Sequence, residues 1–258
     1  MSTALVTGAG KRLGRAMALH LARRGHDVVV HFATSGEDAE AVVSEIVGMG
    51  RRAMALQADL LDEGAVQGLV PRAAEAVGPL TILVNNASIF EHDDIRTATR
   101  ESWDRHIESN LRAPFVLTQR FAEQVPEPAI DAAGEPVARG LVVNMIDQRV
   151  RKLTPEFMTY TIAKMGLWAL TRTSAQALAP AVRVNAIGPG PTMQGARQSA
   201  EHFARQRAAT VLQRGAGAED ITAALSYLID ATAVTGQLIC VDGGQHLAWQ
   251  TPDVLGLE

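Results

Sequence analysis

One cysteine, Cys240, in 258 residues excludes an intrachain disulfide and any metal centre built from several thiolates. It lies in the apolar run Gln237 to Val241, where the expectation is a buried, inert thiol. The seven histidines form no pair at metal-ligand spacing such as HExxH, so no metal is expected. A basic excess is also missing. The formal charge of −4 argues against a general nucleic-acid binder, which needs a basic surface for phosphate backbones. No apolar run approaches the roughly 18 residues of a membrane span. Nor does a basic stretch precede the apolar run after Met1-Ser2-Thr3, so a cytoplasmic protein without a membrane partner is expected. Aromatic residues are only 4%, and no Gly-, Ser- or Pro-rich linker or internal repeat divides the chain.

What is present is the balance of a folded globular chain, 47% hydrophobic and 20% charged. The length is about 1.7 domains by the length/150 ratio, which leaves one large domain over residues 1–258 as the first expectation. Short β-branched runs alternate with longer helical patterns throughout. The strands are expected at 4–7, 27–32, 53–57, 82–85, 141–145, 183–186 and 237–241. Helices are expected near 13–24, 37–49, 62–77, 101–124, 158–178, 196–212 and 219–229. Strands so short and apolar must be covered on both faces, which predicts an α/β doubly wound domain with a seven-stranded parallel sheet. The segment Val125 to Arg139, with three prolines, is expected as a surface loop without a catalytic part.

The first strand runs into Thr7-Gly8-Ala9-Gly10-Lys11-Arg12-Leu13-Gly14 and then a helix. Glycines at such a turn let the backbone approach a pyrophosphate, whose charge is favoured at a helix N-terminus. Gly8, Gly10 and Gly14 depart from GxGxxG by one residue, so plain turn chemistry stays open. The second strand ends His31-Phe32-Ala33-Thr34-Ser35, with no carboxylate until Glu37. An acidic residue there would bind the ribose hydroxyls of NAD, whereas Thr34, Ser35, Lys11 and Arg12 can surround a 2′-phosphate. NADPH is the expected cofactor; the alternative is that Thr34 and Ser35 only cap the next helix. Tyr160 and Lys164 are one helical turn apart, so an ammonium can tune a phenol for acid–base work, or the two form an ordinary surface pair.

These motifs, with Asp59-Leu60, Asn85-Asn86-Ala87-Ser88, Asn110 and Pro189-Gly190 in the same order, resemble the short-chain dehydrogenase/reductase family. The family turn reads TGxxxGxG. Arg12 stands where its middle glycine would be, which is similar to pteridine reductases, where the arginine reaches both cofactor phosphate and substrate. The resemblance implies that Gly8, Lys11, Arg12, Leu13, His31, Thr34, Ser35, Asp59, Leu60, Asn86, Ala87, Ser88, Tyr160, Lys164, Pro189, Gly190 and Thr192 bind the cofactor. It assigns Tyr160 as proton donor, Lys164 as ribose anchor and Asn110 as support for a relay water.

The family's serine, thirteen residues before the tyrosine, is here Asp147. A carboxylate suits a substrate with N–H donors or one protonated at nitrogen, as a reduced pterin is. Asn86-Ala87-Ser88-Ile89-Phe90 matches the same subgroup, and Phe90 could stack on a flat ring. Substrate contacts are therefore expected from Arg12, Ser88, Phe90, Asp147, Tyr160 and Met193. Arg12 could instead serve phosphate alone, Phe90 could be loop packing, and Asp147 a solvated carboxylate in a chain of lost activity. Residues 191–215 are expected to form a substrate lid. Its Arg197, Arg205 and Arg207 are read as a solvated helix face, with contact to an acidic substrate tail as the alternative. The resemblance also implies a homotetramer, with Trp249 and Val254 to Leu257 as interface candidates. The expected function is NADPH-dependent reduction of a dihydropterin or dihydrofolate. A carbonyl reductase acting on a small ketone or sugar, and a cofactor-binding regulator with little turnover, are the alternatives.

Overall fold

The computed structural model describes residues 2–195 and 198–251. Strands β1 (Thr3–Val6), β2 (Asp27–Phe32), β3 (Ala53–Gln57), β4 (Ile82–Asn85), β7 (Gly140–Met145), β8 (Val182–Pro189) and β9 (Leu238–Val241) form one parallel sheet. Two further short strands, β5 (Ala129–Ile130) and β6 (Pro136–Val137), pair separately. Around the sheet lie α1 (Arg12–Arg23), α2 (Gly36–Gly48), α3 (Glu63–Val77), α4 (Arg100–Ile107), α5 (Ala113–Gln124), α6 (Met158–Ala177), α7 (Ala200–Ala208) and α8 (Ala218–Asp230). The sheet order is β3-β2-β1-β4-β7-β8-β9. The chain thus winds outward in both directions from β1 and β4, and the switch point between them opens a crevice at the strands' carboxyl ends.

Alternation along the strands feeds two cores. In β1, Ala4 and Val6 join Met17, Leu21, Val28, Val30, Ile46 and Leu225 on one face of the sheet. Leu5 points the other way, to Leu69, Leu83, Leu117, Phe121 and Val142. β1, β4 and β7 are buried throughout, as near-continuous apolar runs in a doubly covered sheet must be.

Four expectations are corrected. The helix expected over 101–124 is interrupted by a π turn, Glu108–Arg112. Pro114 has no N–H to donate to the carbonyl four residues back, that of Asn110, which favours a wider turn there. The segment at 125–139 is not structureless: it holds the β5–β6 hairpin, whose turn is closed by Asp131 Oδ1 accepting from the Ala133 and Glu135 N–H groups at 2.8 and 2.9 Å. The helix expected over 196–212 spans only Ala200–Ala208, with Ser199 capping it through the His202 N–H at 3.1 Å. Cys240 is half-buried rather than buried, yet burial pushes its thiol up to about 11, so it stays protonated and inert. Among the described residues no helix is long and apolar enough to cross a membrane.

Candidate active site

The turn after β1 is held from three sides. Gly8 adopts a φ of +63°, and a Cβ on Gly14 would lie 2.1 Å from the Gly8 carbonyl oxygen, so α1 can start where it does only without a side chain there. Thr7 Oγ1 accepts from the Asn86 and Ala87 N–H groups at 2.8 and 3.0 Å, and Asn86 Nδ2 donates to the Thr7 carbonyl at 2.8 Å. Beneath the turn, His31 Nδ1 accepts from the Gly8 N–H at 3.0 Å and Nε2 donates to the Ala58 carbonyl at 3.1 Å. Both ring nitrogens are thereby used and the ring is buried, so His31 supports the turn rather than touching a ligand, contrary to expectation. Burial depresses its pKa to about 4.

At the end of β2, Thr34 is exposed and Ser35 occupies the N-cap position of α2 without a side-chain cap hydrogen bond. Lys11 pairs with Asp38 at 2.8 Å on the surface. Asp59 accepts from the Leu61 N–H at 3.0 Å, and Leu60 is buried beside it. Leu13 packs against the core below the turn. Across the crevice, Gly190 follows β8 so closely against Asp242 that a Cβ would stand 2.5 Å from its Cβ. Thr192 Oγ1 donates back to the Gly190 carbonyl at 3.0 Å.

The catalytic candidates converge. Tyr160 Oη donates to Asp147 Oδ2 at 3.0 Å, across thirteen residues of sequence. Lys164, one turn further along α6, buries its ammonium against the Met145 carbonyl at 2.8 Å. Burial and the neighbouring Asp147 charge hold the Tyr160 phenol well above its ordinary pKa. Burial also raises Asp147, against the opposing effects of Arg149, Tyr160 and Lys164, while it lowers Lys164 to about 8. Asn110, on the π turn, is wholly buried. Its amide exchanges two hydrogen bonds with the Ile89 backbone, at 2.9 and 2.8 Å, and so braces the loop after β4.

That loop carries Ser88, whose Oγ donates to the Ile89 carbonyl at 3.3 Å. Phe90 lies edge-on to Tyr160 with ring centroids 4.7 Å apart, and is stacked on Phe157 at 4.3 Å. Phe157 was not legible as a site residue; the Arg149 guanidinium lies over its ring, 5.1 Å from the centroid. Arg12, itself at a φ of 53°, reaches across to the segment after β8 and donates to the Met193 and Gln194 carbonyls at 2.9 and 2.7 Å. On α7, Arg205 pairs with Glu201 on the helix surface, whereas Arg207 turns inward to the Pro191, Gly215 and Ala216 carbonyls. Arg197 lies outside the described residues, as do Val254 to Leu257; Trp249 is exposed. Among the described residues no cluster of His, Cys, Asp or Glu could hold a metal ion.

A protonated phenol beside a buried lysine, in the crevice of a doubly wound parallel sheet, defines an oxidoreductase built around a dinucleotide site. The model of the short chain dehydrogenase family matches residues 2–205, and the chain belongs to that family. It is 31% identical to the 3-oxoacyl-[acyl-carrier-protein] reductase FabG of Staphylococcus aureus, over 95% of this chain and 98% of that protein. Among solved structures it resembles FolM, alternative dihydrofolate reductase 1, from Brucella suis in complex with NADP, at 44% identity and a TM-score of 0.91 over 98% of both chains. The same protein from Brucella canis, complexed with NADP, gives 42% identity and a TM-score of 0.90, over 99% of this chain and 98% of that one.

Proposed function

We propose that this chain is an NADPH-dependent reductase of a dihydropterin or dihydrofolate. The observation that carries the reading is Asp147, hydrogen-bonded to the Tyr160 hydroxyl where the family has serine. The cofactor fits the residues present. A Cβ on Gly10 would lie 3.1 Å from Ser35 Oγ, so its absence leaves that hydroxyl accessible, and no carboxylate closes the end of β2 against a 2′-phosphate. The NADP bound to the two FolM structures supports the same assignment. Lys164 retains donor protons beyond the one given to Met145, suited to ribose hydroxyls.

When bound, the reduced nicotinamide supplies a hydride to the carbon of the substrate's C=N bond. Tyr160, kept protonated by burial and by Asp147, delivers a proton to the nitrogen. The Asp147 carboxylate accepts an N–H of the heterocycle and so orients the ring, and Tyr160 regains its proton from solvent once product leaves. Phe90 presents an aromatic face to the flat ring, and residues 191–215, tied to the turn through Arg12, cover it. A ketone makes a poorer partner, because its oxygen gains negative charge beside the carboxylate. The FabG similarity nevertheless supports carbonyl reduction as the second reading. A cytoplasmic homotetramer, with Trp249 at an interface, completes the proposal.

Following NADPH absorbance with dihydrobiopterin, dihydrofolate and a ketone panel tests the assignment. Turnover of a pterin or folate is expected; oxidation with ketones alone overturns it, and tight NADPH binding without turnover points to a regulator. Equal dissociation constants for NADH and NADPH would remove the cofactor preference.

A further inference from the structure

Beneath the substrate loop, four polar side chains outside the expected site form a directed hydrogen-bond chain. Asp93 comes from the loop after β4, Ser102 and His106 from α4, and Thr159 from the first turn of α6; all but Ser102 are buried. The Glu91 N–H donates to His106 Nε2 at 3.1 Å. A backbone N–H can only donate, so Nε2 offers its lone pair and the neutral ring carries its proton on Nδ1. Burial lowers the His106 pKa and keeps the ring neutral. The Nδ1 proton meets Thr159 Oγ1 at 2.7 Å, and the Thr159 hydroxyl donates onward to Asp93 Oδ2. Ser102 Oγ donates to the same oxygen at 3.0 Å. Burial pushes the Asp93 carboxyl up, but the donors from Thr159 and Ser102 outweigh it and hold it ionised.

Asp93 also provides what α6 lacks. The N-cap residue Phe157 sits at a φ of 58° and makes no side-chain cap. Instead the Met158 N–H donates to the Asp93 carbonyl at 3.2 Å and the Thr159 N–H to Asp93 Oδ1 at 3.1 Å. Two of the unpartnered donors at the start of α6 are thus satisfied by a residue 66 positions upstream, on the loop that carries Ser88 and Phe90. The next residue of α6 is Tyr160.

We infer that Asp93 is a positioning residue: it caps α6 from outside and, through Thr159 and His106, sets Tyr160 in register with the substrate loop. The inference rests on Tyr160 as proton donor. Its polarity is specific. In Asp93→Asn an amide NH2 would donate to the Thr159 hydroxyl oxygen, whose own O–H must then turn to donate a hydrogen bond to His106 Nδ1. The ring would switch to the Nε2–H tautomer and set that N–H against the one of Glu91.

The test combines turnover with a readout that needs none. Nitrogen-15 shifts of His106 in the NADPH-bound protein are expected to show Nδ1 protonated, and in Asp93→Asn the proton moves to Nε2 with faster amide exchange over residues 89–93. Thr159→Val should lower kcat about tenfold or more, the scale of a misplaced catalytic group, with NADPH affinity within about twofold of the parent. Thr159→Ser, which restores the hydroxyl, should recover most of the lost kcat. An Nε2-protonated His106 in the parent protein, or Thr159→Val turning over like the parent, or Thr159→Ser failing like Thr159→Val, overturns the inference. If none of the substrates above is reduced, the function is wrong while the nitrogen shifts and exchange still decide the role of Asp93.

Discussion

Three side chains within one hydrogen-bonding neighbourhood divide the chemistry of the site. Tyr160 keeps its proton at neutral pH because burial and the Asp147 charge oppose its ionisation, so the proton is present for the proposed transfer. Tyr160→Phe removes only the hydroxyl, and turnover should fall by about 100-fold or more, within the usual range for a general acid, with NADPH affinity nearly unchanged. A stopped-assay comparison of kcat with fluorescence-titrated Kd checks this. Asp147→Ser should impair pterin reduction more than ketone reduction; the opposite ordering of kcat/KM counts against the pterin substrate. Lys164, lowered to about 8, defines the alkaline side. Its ammonium is present below that pH and lost above it, whereas Tyr160 is still protonated there. The pH profile of kcat/KM should therefore fall above about 8, by up to tenfold per pH unit.

At the scale of elements, function depends on close approach. The start of α1 lies against Gly8, and a methyl group on Gly14 would meet backbone at 2.1 Å and the Asn86 amide at 2.6 Å. Gly14→Ala must displace either helix or turn, and overpacking of this kind costs about 1–3 kcal/mol. The expected outcome is a lower melting temperature together with weakened NADPH binding, read by calorimetry and titration. The π turn at Glu108–Arg112 has a similar positional role, because it carries Asn110 to the Ile89 backbone. Pro114 was the visible signal for it, but a helical period continues across the interruption and hides it. The segment after β8 is tied to the turn through the guanidinium of Arg12, a link that spans 182 residues to Gln194.

For the molecule as a whole, the His31 support under the cofactor turn connects the site to global stability. Its ring is neutral in the fold, with a pKa of about 4 against an ordinary 6.5. The unfolded chain therefore binds more protons between those values. Stability from this group is fully present above pH 6.5 and declines as pH falls toward about 4, by up to about 3 kcal/mol. Denaturant titrations across that window should show the decline in the parent protein and a smaller one in His31→Gln.

Local residue order sufficed for much of this molecule. Alternating apolar runs and helical periods specify seven strands in a doubly wound sheet, because each strand's burial on two faces is written in its own residues. Tyr160 and Lys164 were readable from their spacing along one helix, and Asp147 from the family resemblance, which places a serine at its position. Packing alone decided the rest. His31 looked like a ligand contact and became a buried prop; Arg12 stood beside a phosphate turn and took hold of the Met193 and Gln194 carbonyls; Asp93, His106 and Thr159 carried no motif at all. Each of these depends on where distant segments meet, and the direction of a hydrogen-bond chain exists only once its donors and acceptors have been brought into contact.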